Sequence, residues 1–354
     1  MLRVVEWSTG HVGRHAIAGI DAHPDLELVG VWVSSDAKAG RDAGDLAGLG
    51  RSLGVTATTD ADALLALRPD CVVHTAMADH RLGEAIEDLC RFLRAGLNVV
   101  SSGPVFLQYP DGVMPDEMIE PIREAAREGG ASLFVNGIDP GFANDWLPLT
   151  LTSISERIEE VRCMEVLNYA TYDQAMVLTD IMGFGRPLDE TPLILAPGVL
   201  TTAWGSVVAQ LAAGLGVELD GIEEHYERLP APETFEIPTG TITEGTQAAL
   251  RFEVRAKVGD RAPIVLEHVT RLRDDLGPDW PQPTGHGGYR VIVTGEPMYT
   301  LDLQMLGTDG DHNTAGLKAT AMRLVNSVPA VVAAEPGLLT SLDLPLVTGR
   351  GLVR

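Results

Sequence analysis

Ser8-Thr9-Gly10-His11-Val12-Gly13 follows the apolar run at residues 2–7 and leads into helical spacing at 14–22. The order Ser8-x-Gly10-x-x-Gly13 is a dinucleotide-binding turn with serine in the place of the first glycine. Gly10 lets the backbone approach a pyrophosphate, and Gly13 lets the helix lie close to its strand. The helix start adds N–H groups that lack intrahelical partners, and the positive end of its dipole, both suited to phosphate oxygens.

The end of the second strand-like run decides which dinucleotide fits. An acid there accepts from a ribose 2′-hydroxyl and favours NAD. Here the chain reads Val33-Ser34-Ser35-Asp36-Ala37-Lys38, with Arg41 just beyond. Hydroxyls at Ser34 and Ser35 with the cations Lys38 and Arg41 suit a 2′-phosphate, so NADP is expected. Asp36 keeps NAD possible.

The elements that must position these groups alternate through the first half. Strand-like runs at 2–7, 27–33, 70–75, 98–101 and 132–135 are separated by helical stretches at 14–22, 61–67, 81–95 and 116–128. That alternation predicts a parallel, doubly wound α/β sheet of Rossmann type, whose ligands bind at the carboxyl ends of the strands. Besides the glycine turn, the rule selects His74-Thr75-Ala76, Ser101-Ser102 and Asn136-Gly137 as cofactor-facing positions. In Asn136-Gly137-Ile138-Asp139-Pro140-Gly141-Phe142, Asp139 reads as a helix N-cap and Pro140 as a first helical residue. Gly137 and Gly141 permit close backbone approach, and Asn136 offers an amide to a carboxamide or a substrate amine.

After about residue 150 the pattern changes. Residues 249–258 alternate between Leu250, Phe252, Val254, Ala256 and Val258 on one face and Arg251, Glu253, Arg255 and Lys257 on the other. That is a half-buried antiparallel strand. Runs at 161–169, 264–273, 289–294 and 299–305 extend this into an α+β domain on a mainly antiparallel sheet. The segments 187–197 and 278–288 read as loops. An apolar helix at 197–215 covers the sheet or a subunit contact, and a last helix at 314–328 returns to the first domain. In the run 264–270, alternation puts His268 with Ile264, Leu266 and Thr270 on the inward face.

The 354 residues carry 26 Lys and Arg against 50 Asp and Glu, a formal charge of −24, which argues against nucleic acid or an anionic membrane as partner. Cys71, Cys90 and Cys163 show no metal-ligand or CxxC spacing, so no metal site is expected and a reduced, cytoplasmic location is. No leader or membrane-spanning apolar run is read.

With these segments in view, the chain resembles the dihydrodipicolinate-reductase-like dehydrogenases, nearest to the 2,4-diaminopentanoate and native amine dehydrogenases. The resemblance rests on residues 7–14, 98–102, 136–142 and the closing Asp311-His312-Asn313-Thr314. It implies a Rossmann domain over 1–148 completed by 308–354, a substrate and dimerisation domain over 149–307, and a homodimer. It also implies NAD(P)H-dependent hydride transfer to a C=N or C=O carbon of a small substrate seated between the sheets. His268 then matches a residue that holds the polar end of the substrate, and Arg162 one that binds a substrate carboxylate, although Met164 stands where a partner asparagine is found. Tyr109 is placed to protonate a carbonyl oxygen, with Tyr172 and His74 as further pocket candidates. One departure stands out. The glutamate that handles the amine in those dehydrogenases falls on Pro104 or Val105 here, so ammonia-dependent reduction is expected to be slow. A carbonyl or enoyl reductase independent of ammonia, or a silent nucleotide-binding sensor, are the alternatives.

Overall fold

A computed structural model describes residues 1–354 except 79, 80, 112 and 354. The chain divides into one unit of residues 1–138 and 317–354, and a second of 139–316.

The first unit runs β1 (Leu2–Trp7), α1 (His11–Ala22), β2 (Leu26–Trp32), α2 (Ala43–Leu46), β3 (Ala57–Thr58), α3 (Ala61–Ala66), β4 (Cys71–His74), α4 (Leu82–Arg94), β5 (Asn98–Ser101), α5 (Asp116–Gly129) and β6 (Ser132–Val135). Short polar signals set the helix ends. Asp60 caps α3 by accepting from the Ala63 N–H, and α5 stops at Gly130, whose φ of 62° lies in the left-handed region. Neighbouring apolar residues go to opposite faces of the sheet. Val5, Val72 and Val99 pack with Leu89, Phe92, Ile119 and Ile122, while Val4, Val73 and Val100 pack with Ala16, Ile20, Leu324 and Val328. Burial on both faces explains why these strands read as continuous apolar runs.

Between the two parts of this unit lie α6 (Trp146–Thr152), β7 (Arg157–Asn168), α7 (Val199–Leu215), β8 (Gly221–Pro230), β9 (Phe235–Ile237), β10 (Gly240–Ile242), β11 (Gln247–Lys257), β12 (Ile264–Arg271), β13 (Gly288–Glu296) and β14 (Tyr299–Gln304). The chain closes with α8 (His312–Ala333) and β15 (Gly337–Leu339). The first unit's seven strands are all parallel, in the order β15-β6-β5-β4-β1-β2-β3. Strand order reverses between β1 and β4, so their carboxyl ends form the switch point where such sheets bind ligands.

The second unit carries a six-stranded sheet, β14-β13-β7-β12-β11-β8. Its central pair, β7 with β12, is parallel and the other pairs are antiparallel, so the sheet is mixed. The apolar helix α7 covers one face: Leu200, Val207, Val208 and Leu211 pack with Phe252, Val254 and Leu266. Its apolar character is therefore used inside its own unit. Strand β8 escapes sequence reading because it is an edge strand whose residues alternate without an apolar face, as in Glu223, Glu224, His225 and Tyr226.

Candidate active site

At the switch point, β1 ends and the backbone turns through Ser8, whose φ is +109°. That conformation is strained for a side-chain-bearing residue. The Gly10 N–H faces Ser8 Oγ at 3.3 Å. A Cβ built on Gly10 meets only Ser8 Oγ, at 3.7 Å, so the turn presents an open cradle at the start of α1. Gly13 is the opposite case: a Cβ there lies 2.3 Å from the Ser8 carbonyl oxygen. The two glycines thus do the two jobs the spacing predicts, one leaving space and one allowing contact. These groups fit a dinucleotide: open backbone and a helix start for phosphate, beside exposed Ser34, Ser35 and Arg41. Lys38 is tied back to the turn, its Nζ 3.1 Å from Thr9 Oγ1 and 3.3 Å from Thr9 O.

The other strand-end candidates are held inward. His74 donates or accepts through Nδ1 with Ser101 Oγ at 2.8 Å, and burial pushes its pKa down to about 4, so the ring is neutral near pH 7. Asn136 is buried, with its Oδ1 accepting from Arg323 Nε at 2.9 Å. Its Oδ1 is thus held by α8, and its Nδ2 donates to Ser341 Oγ at 3.4 Å. Tyr109 is half-buried just after the turn at Val105–Gln108, and burial, then Asp111 and Asp343, push its hydroxyl up, so it holds its proton.

In the second unit a buried cluster forms on one row of the sheet. Tyr289, Glu165, His268 and Phe252 are register partners across β13, β7, β12 and β11, and so share a face. His268 Nδ1 lies 3.8 Å from Glu165 Oε1, and its Nε2 lies 3.4 Å from Asp139 Oδ1. Trp204 Nε1 and Asn144 Nδ2 donate to Asp139 Oδ1 at 2.9 and 2.6 Å. The Tyr169 hydroxyl donates to Glu165 Oε1, and Tyr289 bonds to the same carboxyl. The imidazole is sandwiched against Phe252 (4.6 Å, 12°) with the Trp204 ring on its edge at 4.7 Å. Tyr172 stacks on Tyr169 at 5.1 Å.

Burial and neighbouring charges shift both partners of this cluster upward. Burial pushes Glu165 up to about 7 against the pull of His268. His268 is itself held above its ordinary value, because Asp139 and Glu165 outweigh its burial. One ligand atom each from Asp139, Glu165 and His268 lies within 4.8 Å of the others, a spacing a metal ion can use. The oxygens, however, already accept from Trp204, Asn144 and Tyr169, which suits protons better than a metal. A cavity of about 660 Å³ opens near the ends of β7 and β12, lined among others by Asn168, Thr171, Arg271, Asp274, His286 and His312; neither Glu165 nor His268 lines it.

Two expectations are corrected here. Arg162 is three residues from Glu165, so the alternation of β7 puts it on the opposite face, where it is paired with Glu160, Glu253 and Glu267. It is not part of the His268 cluster. Asp139 does not cap a helix: α6 begins at Trp146 and Asp145 caps it, leaving the Asp139 carboxylate to face His268. Glu165, Tyr169 and Tyr289 were missed by sequence reading. The available signal was an acid at 165 on the face of Val161 and Cys163, where only apolar residues are expected.

Fold and fingerprint define the class, an NAD(P)-dependent oxidoreductase with a Rossmann unit and a second unit on a mixed sheet. The profile of the 2,4-diaminopentanoate dehydrogenase C-terminal domain matches residues 142–351. An amine dehydrogenase of Streptomyces virginiae is 43% identical over 350 residues, covering 98% of this chain and 97% of that one. A 2,4-diaminopentanoate dehydrogenase of Acetoanaerobium sticklandii is 24% identical over 254 residues, 71% of this chain and 67% of its own. An amine dehydrogenase structure from Mycobacterium smegmatis shares the fold, with a TM-score of 0.78 at 23% identity over 98% of this chain and 97% of that one. The chain belongs to the 2,4-diaminopentanoate dehydrogenase family.

Proposed function

We propose that this protein is an amine dehydrogenase. It interconverts an amine, water and oxidised NAD(P) with a carbonyl compound, ammonium and the reduced cofactor, through a C=N intermediate of the substrate. The observation that carries the reading is Glu165, a buried carboxyl poised near neutrality against His268 and Asp139. Amine chemistry needs a group that takes a proton from an ammonium and returns one to a departing or arriving amine. Positions 104 and 105 lack that group, and Glu165 supplies a carboxyl from a different strand. Bound nicotinamide supplies or accepts the hydride. In this reading Glu165 exchanges the proton, His268 and Asp139 share the charge that results, and Tyr169 and Tyr289 fix the carboxyl. The first unit is assigned to the cofactor and the second to the substrate. NADPH absorbance followed with a carbonyl panel, with and without ammonia, tests this. Oxidation that needs ammonia is expected. Oxidation without it favours a carbonyl or enoyl reductase, and none at all favours a sensor.

For the cofactor we infer a preference for NADP, supported by exposed Ser34, Ser35 and Arg41, by Lys38 held at the turn, and by the lack of an acid directly after Val33. Fluorescence titration is expected to show tighter binding of NADPH than NADH; equal or tighter NADH binding rejects it.

A homodimer joined through the second unit is also inferred. The apolar face of α7 is packed on its own sheet, so this reading puts the contact elsewhere on the second unit. Light scattering at micromolar concentration is expected to give twice the chain mass, and a monomer overturns it. A cytoplasmic location fits three buried, unpaired cysteines. Among the described residues no helix is long and apolar enough to cross a membrane.

A further inference from the structure

Glu6 lies one residue before the end of β1, between Val31 of β2 and Val73 of β4, with no exposed surface. A carboxyl in that position is unusual, because a charge taken from water costs several kcal/mol unless it is paired. Its Oε1 accepts from the hydroxyl of Thr75, directly after β4, and its Oε2 is buried without a hydrogen-bond partner among the described residues. Thr75 is itself fixed, its N–H donating to the Trp7 carbonyl at 3.1 Å. This pair spans the switch point from the end of β1 to the end of β4. Gly13 sits directly on it: a Cβ there lies 2.8 Å from Thr75 Oγ1 and 3.0 Å from Glu6 Oε1.

We propose that Glu6 and Thr75 are a positioning pair for the dinucleotide turn, setting the height at which Gly13 and the start of α1 rest and so the seat of the cofactor's pyrophosphate. The inference rests on the cofactor reading above and adds Glu6 to it, with a role for Thr75 beneath the turn. Burial pushes the Glu6 carboxyl well above the usual carboxylate range, against the bond from Thr75. Burial thus disfavours a charge on this carboxyl, which suits a place beneath a dianionic ligand. An aspartate or a vacancy at this place cannot reach Thr75 and support Gly13 together. A glutamine keeps the shape and the acceptor for Thr75.

The test is the dissociation constant for NADPH and NADH, by fluorescence, in the full-length protein and in Glu6→Gln, Glu6→Ala, Thr75→Val and Thr75→Ser, each checked by its melting temperature. Glu6→Ala and Thr75→Val are expected to weaken binding by about tenfold or more, the effect of leaving a buried polar partner unmade. Glu6→Gln and Thr75→Ser are expected to stay within about threefold of the unaltered protein. A folded Glu6→Ala with unchanged affinity overturns the proposal, and so does a Glu6→Gln as weak as Glu6→Ala. If Glu6→Ala fails to fold, Thr75→Val against Thr75→Ser decides it, since equal unchanged affinity in both overturns it. An unaltered protein that binds neither reduced cofactor removes the cofactor reading and this inference with it.

Discussion

Glu165→Gln is expected to lower amine oxidation and ammonia-dependent reduction by about 10²–10⁴-fold, the usual worth of one positioned acid–base group. Glutamine keeps the volume and still accepts from Tyr169, so the row Tyr289, Glu165, His268 and Phe252 stays in register. What it removes is the transferable proton. Cofactor affinity should therefore be unchanged while turnover falls, a split that mere misfolding does not give. The pH profile offers a second readout. With its carboxyl raised to about 7, the pair titrates close to neutrality, and the apparent value belongs to Glu165 and His268 jointly. The limb of the turnover profile near that pH should disappear in Glu165→Gln. Stability follows the same groups. Between the ordinary carboxylate value and about 7 the folded chain binds more protons at Glu165 than the unfolded one, so stability falls as pH rises through that window. His268, also raised, loses its contribution as pH rises through its own folded value, which adds in the same direction. Melting temperature measured from pH 5 to 8 should decline in the unaltered protein and decline less steeply in Glu165→Gln. Full turnover in the variant would place the acid–base step elsewhere, with Tyr109 next to replace.

Local patterns made the first unit legible and left the cluster half hidden. The turn from Ser8 to Gly13 is read from six consecutive residues, and the strands around it announce themselves as apolar runs. His268 was found because alternation within one strand fixes its face. The same rule, applied to β7, separates Arg162 from Glu165 and puts an acid among Val161 and Cys163. Family resemblance points to Arg162, and the parity of the strand puts it on the face opposite His268. The meeting of Glu165 with His268 depends on β7 lying parallel to β12 across about a hundred residues of intervening chain. No short-range spacing encodes that pairing. Asp139 illustrates competition between equals: both Asp139 and Asp145 carry capping chemistry, Asp145 takes the helix, and Asp139 is freed to face His268. The edge strand β8 was unreadable for the opposite reason, since exposure removes the selection for an apolar face.

Gly10→Val is expected to raise the dissociation constant for both reduced cofactors by at least about 100-fold, equivalent to roughly 2.7 kcal/mol, while the protein stays folded. The reason lies in what surrounds Gly10. Its backbone, at φ −74° and ψ −164°, is extended and open to any residue, and an added Cβ meets only Ser8 Oγ at 3.7 Å. The folded chain alone therefore gives no cause for glycine here, and no side chain caps α1 through this position. The requirement comes from a ligand that must bring its phosphates onto the backbone, where the branched side chain of valine would stand instead. Gly13→Ala makes the contrast. Its Cβ would lie 2.3 Å from the Ser8 carbonyl oxygen and 2.8 Å from Thr75 Oγ1, so the helix must move and about 1–3 kcal/mol of stability is expected to go. Binding and melting measured side by side thus separate the two glycines, one losing affinity at constant stability and the other losing stability first. A Gly10→Val protein that melts normally and binds NADPH as tightly as before would mean that the dinucleotide does not rest on this turn. The open cradle at the carboxyl end of β1 would then need a different ligand.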